Sequence, residues 1–336
     1  MRRSIAALES LAGFLLLASP PVQAAGVKIG LSLPTQREER WVKDRKRMEE
    51  EARKLGIDLR VQVTDNDAGR QLSQCENLIS EGIKALILAP HDGSSASVIV
   101  DMAVRAGVPV ISYDRLVTNS RVDYYYLSFD NLKVGELQGE FITRKVPKGK
   151  YLVLAGSPTD NNAKLFHAGA MHFIKPLADR GDIQIVMDQP VKDWQRSEAQ
   201  KLCEQGLTAN QNRIDAVLAP NDGTAGGCIQ ALAAQGLAGK VPITGQDAEL
   251  SGALCIVRGT QSMTIFKDTR ELGKKAVEMA LDLANGKAIE TRGRVVNNGR
   301  RDVPSVLLTP VVVTRDNLEE VLIKSGYLRK EAVYRK

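Results

Sequence analysis

Aspartate, asparagine, arginine, lysine and tryptophan recur in this chain where short apolar runs end. The run VPVISY, for example, is followed directly by Asp114 and Arg115. Residues of these types also follow the other apolar runs, namely Arg40, Trp41, Asp160, Asn161, Trp194, Asn221, Asp247 and Lys267. Carboxylates accept hydrogen bonds, Arg and Lys donate them, and an Asn side chain does both. The set therefore suits a ligand that is rich in hydroxyl groups.

The same residue types match the surface of a sugar ring. A sugar hydroxyl both donates and accepts hydrogen bonds, and charged partners make the stronger ones. The apolar C–H face of a pyranose packs on a flat aromatic ring, and Trp41 and Trp194 are the 2 tryptophans of the chain. Neighbouring opposite charges such as Asp114 and Arg115 offset each other's desolvation. We therefore predict one pocket for a neutral, polyhydroxylated ligand.

Each of these residues also has a simpler structural explanation. Asn161, Asn221 and Asp247 stand where helix N-caps are expected, and capping alone would account for them. Trp41 lies on an amphipathic stretch, where it could belong to the hydrophobic core. The charged pair after VPVISY could form a surface ion pair in a turn. The recurrence of such residues at strand ends in both halves of the chain favours a common site.

Apolar runs alternate with amphipathic stretches along the chain, as where VKIGLSL precedes EERWVKDRKRMEEEARKLG. This alternation is typical of βαβ units and parallel sheets. The series restarts near residue 130, so we predict an α/β protein with two doubly wound parallel-sheet lobes. In such sheets ligands bind beyond the carboxyl ends of the strands, which would bring the strand-end residues into one cleft. No GxGxxG opens the first helix and no P-loop is present, so no nucleotide cofactor is predicted.

Composition excludes several other functions. The net charge of +6 is spread along the 336 residues without a dense basic run, which gives no support to nucleic-acid binding. The 3 histidines lack a metal-ligand spacing, so no metal site is predicted. Four cysteines show no C-x-x-C pattern, and they are either free thiols or include one bridge among the last three: Cys75, Cys203, Cys228 and Cys255.

Residues 1–24 have the pattern of a secretory signal peptide. Arg2 and Arg3 precede an apolar run at 11–18, and small residues follow up to Ala24. The run is too short to span a bilayer. We therefore expect cleavage near Ala24 and export to the periplasm.

Several stretches closely resemble the pentose and hexose group of the type I periplasmic binding proteins that serve ABC importers: ERWVKDR, SYDRL, LSFDNLKVGELQ, AGSPTDNNAKLFHAG, NDGTAGG, GQDAEL and DVPSVLLTP. The resemblance implies two Rossmann-like lobes joined by a three-segment hinge. It assigns residues 27–129 and 268–298 to the N-terminal lobe, and 130–267 and 299–336 to the C-terminal lobe. The chain would cross between the lobes near Phe129, Lys267 and Asn298.

The resemblance also implies a function. Carried over by motif, the strand-end residues would bind one monosaccharide, with D-xylose as the first candidate, and Trp41 and Trp194 would stack on its two faces. The protein would be a monomer without enzymatic activity or cofactor, and it would deliver the sugar to an inner-membrane ABC permease with its ATPase. His91 and Pro190 stand where the family usually has aromatic residues, and Asp268 stands where it often has proline. The preference among pentoses and hexoses therefore stays open.

Other protein classes share parts of this pattern. The ligand-binding domains of LacI-type repressors have the same architecture, but they follow a DNA-binding helix-turn-helix, whereas this chain begins with an export signal. A glycoside hydrolase would need two carboxylates in acid and base roles, whereas the Asp residues here neighbour Arg, Asn or Gln. A periplasmic sensor that presents its sugar to a chemoreceptor or histidine kinase would use the same pocket, and this alternative stays open.

Overall fold

The computed structural model describes residues 26–334, and the predicted signal peptide lies outside them. The strands are β1 Lys28–Leu33, β2 Asp58–Val63, β3 Ala85–Leu88, β4 Val110–Tyr113, β5 Tyr125–Phe129, β6 Gly149–Leu154, β7 Ile183–Gln189, β8 Ala216–Leu218, β9 Thr264–Phe266, β10 Val295–Asn297, β11 Asp302–Leu308 and β12 Val311–Val313. The α-helices are α1 Glu39–Lys54, α2 Ala68–Ser80, α3 Ser97–Arg105, α4 Asn131–Lys145, α5 Asn161–Asp179, α6 Arg196–Ala209, α7 Asp222–Ala234, α8 Leu250–Arg258, α9 Thr269–Ala284 and α10 Lys330–Val333. Within residues 26–334, no helix is both long and apolar enough to cross a membrane.

The first lobe is built on a seven-stranded sheet in the order β10-β11-β5-β4-β3-β1-β2. All neighbouring pairs are parallel except β10 with β11. Helices α1 and α9 cover one face of the sheet, and α2 and α3 cover the other. Strands β3 and β4 are buried on both faces, which explains why they read as unbroken apolar runs. The order β2-β1-β3-β4-β5 is a doubly wound arrangement, as predicted.

The second lobe has a shorter parallel sheet, β7-β6-β8, which a single bridge between Val217 and Ile243 extends. Helices α4 and α5 pack together on one side of this sheet, and α6 and α7 pack on the other. A disulfide joins Cys203 of α6 to Cys228 of α7, while Cys75 and Cys255 are free. The bridge thus ties together two helices that cover the same face.

The chain passes between the lobes at three places. It leaves the first lobe after Phe129, because α4 packs in the second lobe, and it returns after Lys267, because α9 packs on α1. The third crossing does not lie near Asn298, and this prediction was wrong. Strand β11 pairs in parallel with β5 and so belongs to the first sheet. The crossing follows Leu308, just before β12 pairs with β9 in the second lobe.

Candidate functional site

A small cavity lies between the lobes at the carboxyl ends of the strands. The first lobe contributes charged side chains and one indole to its wall, and the second lobe contributes charged, amide and aromatic groups. The lining residues are Glu38, Arg40, Trp41, Asp114, Arg115, Asp160, Asn162, Phe166, Trp194, Asn221, Gln246, Asp247 and Lys267.

Arg40 is held in a fixed orientation on the first turn of α1. One turn further, the buried carboxylate of Asp44 accepts from its Nε at 3.2 Å and its Nη2 at 2.9 Å. The other oxygen of Asp44 accepts from the Tyr113 hydroxyl at 2.6 Å. The remaining nitrogen, Nη1, lies 2.5 Å from Asp114 Oδ2. Asp44 therefore fixes the orientation of the Arg40 guanidinium from the side away from the cavity, and the edge with Nη1 faces the cavity.

Asp114 follows β4 with a left-handed backbone, at φ 59°. Its carbonyl oxygen accepts from the hydroxyls of Tyr126 at 2.9 Å and Ser128 at 2.6 Å. It also accepts from the Asn162 amide of the second lobe at 2.9 Å. A non-glycine residue in this region stores strain that surrounding contacts must offset, and such residues cluster at functional sites. Its neighbours thus hold Asp114 in a conformation that it would otherwise avoid.

Asp160 connects the two lobes. Its Oδ1 accepts from the backbone N–H of Asn162 at 2.9 Å, which caps α5. Its Oδ2 accepts from the indole N–H of Trp194 at 3.2 Å and lies 2.9 Å from Arg115 Nε across the cleft. One carboxylate therefore links a helix end, an aromatic wall and the opposite lobe.

Asp247 and Lys267 complete the charged part of the wall from the second lobe. Lys267 Nζ lies 3.1 Å from Asp247 Oδ1, and the same oxygen is 3.7 Å from Arg40 Nη1. Like Asp114, Asp247 has a positive φ, of 90°. Each lobe thus presents an aspartate from a left-handed turn to the same cavity.

The amides of the second lobe leave specific groups for a ligand. The Asn221 oxygen accepts from the backbone N–H of Thr224 at 2.9 Å and from its hydroxyl at 2.7 Å, so that Asn221 caps α7. Its NH₂ group remains as a donor. Gln246 is buried, and its Oε1 has no hydrogen-bond partner among the described residues. The wall therefore offers both a donor and an acceptor of neutral type.

The two tryptophans are positioned differently. Trp41 lies under two guanidinium groups, with Arg40 Cζ 4.5 Å and Arg115 Cζ 5.2 Å from its ring centroid. Trp194 lies on a short 3₁₀ turn with φ 58°, and its ring meets Phe166 edge-on at 6.3 Å between centroids. Both indoles line the cavity, while the predicted stacking on opposite faces of a sugar stays a prediction.

The charges in the cavity nearly balance. Burial would raise the pKa of Asp114, but Arg40, Lys267 and Arg115 outweigh it and hold this pKa below its usual value. Burial raises the pKa of Asp160, although Arg115 opposes it. Arg40, Arg115 and Lys267 each lie beside an aspartate. Such a wall favours a neutral ligand, because an anion or a cation would leave a buried charge uncompensated.

All but one of the predicted site residues line the cavity. The exception is Asn161, and placing it in the site was wrong by one position. Asp160 caps α5, so the first helical residue is half-buried outside the lining and Asn162 faces the cavity instead. The predicted site residues did not include Glu38, Phe166 and Gln246, which also line the cavity. Gln246 follows the apolar run VPITG, so it fitted the rule that ligands bind beyond the carboxyl ends of parallel strands, which we call the strand-end rule. Glu38 and Phe166 do not directly follow an apolar run, so the rule could not find them.

A two-lobed fold with a polar cavity at its hinge defines a ligand-capturing protein. The family model described as periplasmic binding protein domain matches residues 29–288, and the chain belongs to this family. It is 44% identical to the D-xylose-binding periplasmic protein of Haemophilus influenzae, over 98% of each chain. It is 46% identical to the protein of the same name from Escherichia coli, over 95% of this chain and 96% of that protein. A carbohydrate-transporter solute-binding protein from Chloroflexus aurantiacus, solved with D-glucose, has a TM-score of 0.84 and 34% identity, and the match covers 90% of this chain and 97% of that one.

Proposed function

We propose that this protein captures D-xylose in the periplasm by closing its two lobes and delivers the sugar to the permease of an ABC importer, which is driven by an ATPase. The observation that carries the proposal is the composition of the cavity wall. Three cation–carboxylate pairs, three amides and two indoles converge from both lobes on one small space.

The wall suits the hydroxyl groups of a sugar. Asp114 and Asp247 accept hydrogen bonds, Arg115 and Lys267 donate them, and amides add neutral partners. Because each aspartate of the wall already has a cation beside it, binding of a neutral sugar leaves none of these aspartates without a partner. The three aspartates of the wall are paired with cations, which supports binding without turnover, so the sugar would be released unchanged.

Lobe closure would follow from contacts that need both sides. In the structure the lobes touch directly, through Arg115 with Asp160 and through the Asn162 amide with the Asp114 carbonyl. At the edge of the cleft, Glu39 Oε2 accepts from the backbone N–H of Leu250 at 2.9 Å. A sugar that contacts both walls binds the closed form better and therefore shifts the equilibrium towards it.

The choice of D-xylose rests on the two relatives whose names include this sugar. A small cavity is consistent with a pentose. Specificity would come from buried polar groups that a wrong epimer leaves unpaired, and a site of this kind discriminates strongly between substrates that differ in one hydroxyl.

Calorimetric titration of the purified chain, without the signal peptide, against D-xylose, D-ribose, L-arabinose, D-glucose and D-glucuronate tests the proposal. We expect one-site saturation by D-xylose, weaker binding of the other neutral sugars and none of the anion. Chromatography of the released sugar should return D-xylose unchanged. Equal weak heats with every sugar would contradict the assignment.

A further inference from the structure

We propose that Glu38 is the side chain that sets the choice between pentose and hexose, an inference that rests on the proposed sugar-binding function. Glu38 lines the cavity, and its Oε2 is buried without a hydrogen-bond partner among residues 26–334. Its other oxygen is 3.5 Å from Arg37 Nη2, near the surface. Within the described part of the chain, it is the one carboxylate of the cavity wall without an arginine or lysine partner inside the cavity.

Glu38 also lines a second space. An open groove adjoins the cavity, and Glu38 and Trp194 belong to the walls of both. The far side of the groove carries polar side chains such as Gln195, Gln200 and Ser251. Trp194 is held by Asp160 through its indole N–H. Within residues 26–334, no hydrogen bond fixes the Oε2 of Glu38 in this partition between the cavity and the polar groove.

This partition acts on the group that distinguishes the two sugar classes. In pyranose form, a hexose carries a hydroxymethyl group at C5 where D-xylose carries only hydrogen. With C5 directed at Glu38, a pentose leaves the carboxylate in place and its hydroxyls can donate to the free Oε2. A hexose would need for its hydroxymethyl group the space that the carboxylate occupies. Without the side chain, the hydroxymethyl group would extend into the groove and find polar partners there.

The backbone role of Glu38 does not interfere with a test. Glu38 occupies the N-cap of α1, but its side chain makes no capping hydrogen bond. Glu38→Ala therefore removes the partition without removing a cap. Glu38→Ser removes it as well and supplies a favoured capping residue, so that at least one short variant keeps the helix start. Glu38→Gln keeps the volume and removes the charge.

Calorimetry with D-xylose and D-glucose gives the ratio of the two dissociation constants for each variant. In Glu38→Ala and Glu38→Ser we expect this ratio to shift towards D-glucose by roughly tenfold or more, as for one added group in a fitted pocket. Glu38→Gln should weaken the binding of both sugars by a similar factor and leave the ratio of the two dissociation constants near that of the wild type. Glu49→Ala, three turns further along α1 and outside the cavity lining, should change neither constant.

Two outcomes would overturn the inference alone, and a third would overturn it together with the proposed function. One is an unchanged ratio in both short variants while the wild type binds D-xylose, which would leave the proposed function intact. The other is an equal shift in Glu38→Gln, which would show that charge and not space decides. Absence of any sugar binding by the wild type would remove the proposed function together with the inference.

Discussion

Each lobe buries one carboxylate behind the cavity, but the two are neutralised differently. In the first lobe, Asp44 contacts the Arg40 guanidinium and the Tyr113 hydroxyl. In the second lobe, Asp222 accepts from the Gln261 amide at 2.7 Å and from the backbone N–H of Glu249 at 2.9 Å. Among the described residues, no arginine, lysine or histidine forms a salt bridge with Asp222. The first lobe uses a cation that is also part of the cavity wall, and the second uses neutral donors.

The electrostatic consequences differ accordingly. Burial raises the pKa of Asp222 to about 7, and burial together with Asp222 raises that of Glu249 to about 8. Burial also raises the pKa of Asp44, but Arg40 opposes it. The backbone N–H of Asp222 donates to the carbonyl of Gln246, so it supports the turn that carries Asp247. The side chain of Asp222 therefore changes its protonation state near neutral pH, whereas this backbone hydrogen bond does not depend on it.

The contact at which the two lobes meet should show the largest effect. Asp160→Ala removes the Arg115 pair, the Trp194 hydrogen bond and a helix cap at once. We expect D-xylose binding to weaken by about 2–5 kcal/mol, because Arg115 is left buried without its partner. Calorimetry measures the change.

Asp67→Ala is the matched control, since Asp67 caps α2 through the N–H of Arg70, away from the crossings between the lobes, and does not line the cavity. It should cost about 1 kcal/mol of stability and leave affinity unchanged. Equal losses of affinity in both variants would show that capping, and not the contact between lobes, explains the first result.

The pH dependence of stability should separate the two buried carboxylates. Folded Asp222 keeps its proton to about pH 7, whereas unfolded Asp222 loses it near 3.8. Unfolding therefore releases a proton in this window, and the free energy of unfolding falls as the pH rises. Relative to Asp222→Asn, the wild type should lose about 4 kcal/mol across the window. Urea unfolding at several pH values measures this, and parallel curves for the two proteins would contradict it.

The support of Arg40 should show in affinity rather than in pH dependence. Asp44→Asn keeps the shape but weakens the hold on the guanidinium, and we expect D-xylose binding to lose about 1–3 kcal/mol. Tyr113→Phe removes only one donor to Asp44 and should lose less. Calorimetric titration of both variants with D-xylose measures these losses. Unchanged affinity in Asp44→Asn would mean that contacts inside the cavity orient Arg40 without help from Asp44.

Close packing around Asp222 gives a smaller effect. A Cβ atom at Gly252 would lie 2.3 Å from Asp222 Oδ2, so Gly252→Ala should destabilise the fold by about 1–3 kcal/mol. Gly273 of α9, in the first lobe, would meet only the flexible side chain of Arg47 and a carbonyl at 3.3 Å or more. Gly273→Ala should be neutral or stabilising. Thermal melts of the two variants measure these changes in stability. Equal melting temperatures for Gly252→Ala and Gly273→Ala would contradict the tighter packing expected around Asp222.

The strand-end rule predicted most of the site because it depends on topology alone. Parallel strands that are buried on both faces read as apolar runs, and the residues directly after such strands must lie at one edge of a sheet. The rule could not decide whether Asn161 or Asn162 faces the cavity, because that depends on which residue caps α5. It could not find Glu38, which directly precedes a helix and does not directly follow a strand.

The sequence misplaced the lobe boundary near Asn298 and could not identify the disulfide pair for similar reasons. Strand β11 returns to the first sheet by pairing with β5, which is distant in sequence. The partner of Cys203 is set by how α6 packs on α7, and spacing gives no information about that packing. Both features depend on tertiary contacts between segments that no local pattern relates.

Tryptophan fluorescence tests the central claim most directly, because the chain has 2 tryptophans and both line the cavity. Titration with D-xylose should therefore produce a saturable change in emission with one sugar per chain, and Asp160→Ala should require much higher concentrations. Emission that does not respond to D-xylose, or to any neutral monosaccharide, would contradict capture of a sugar between the two indoles.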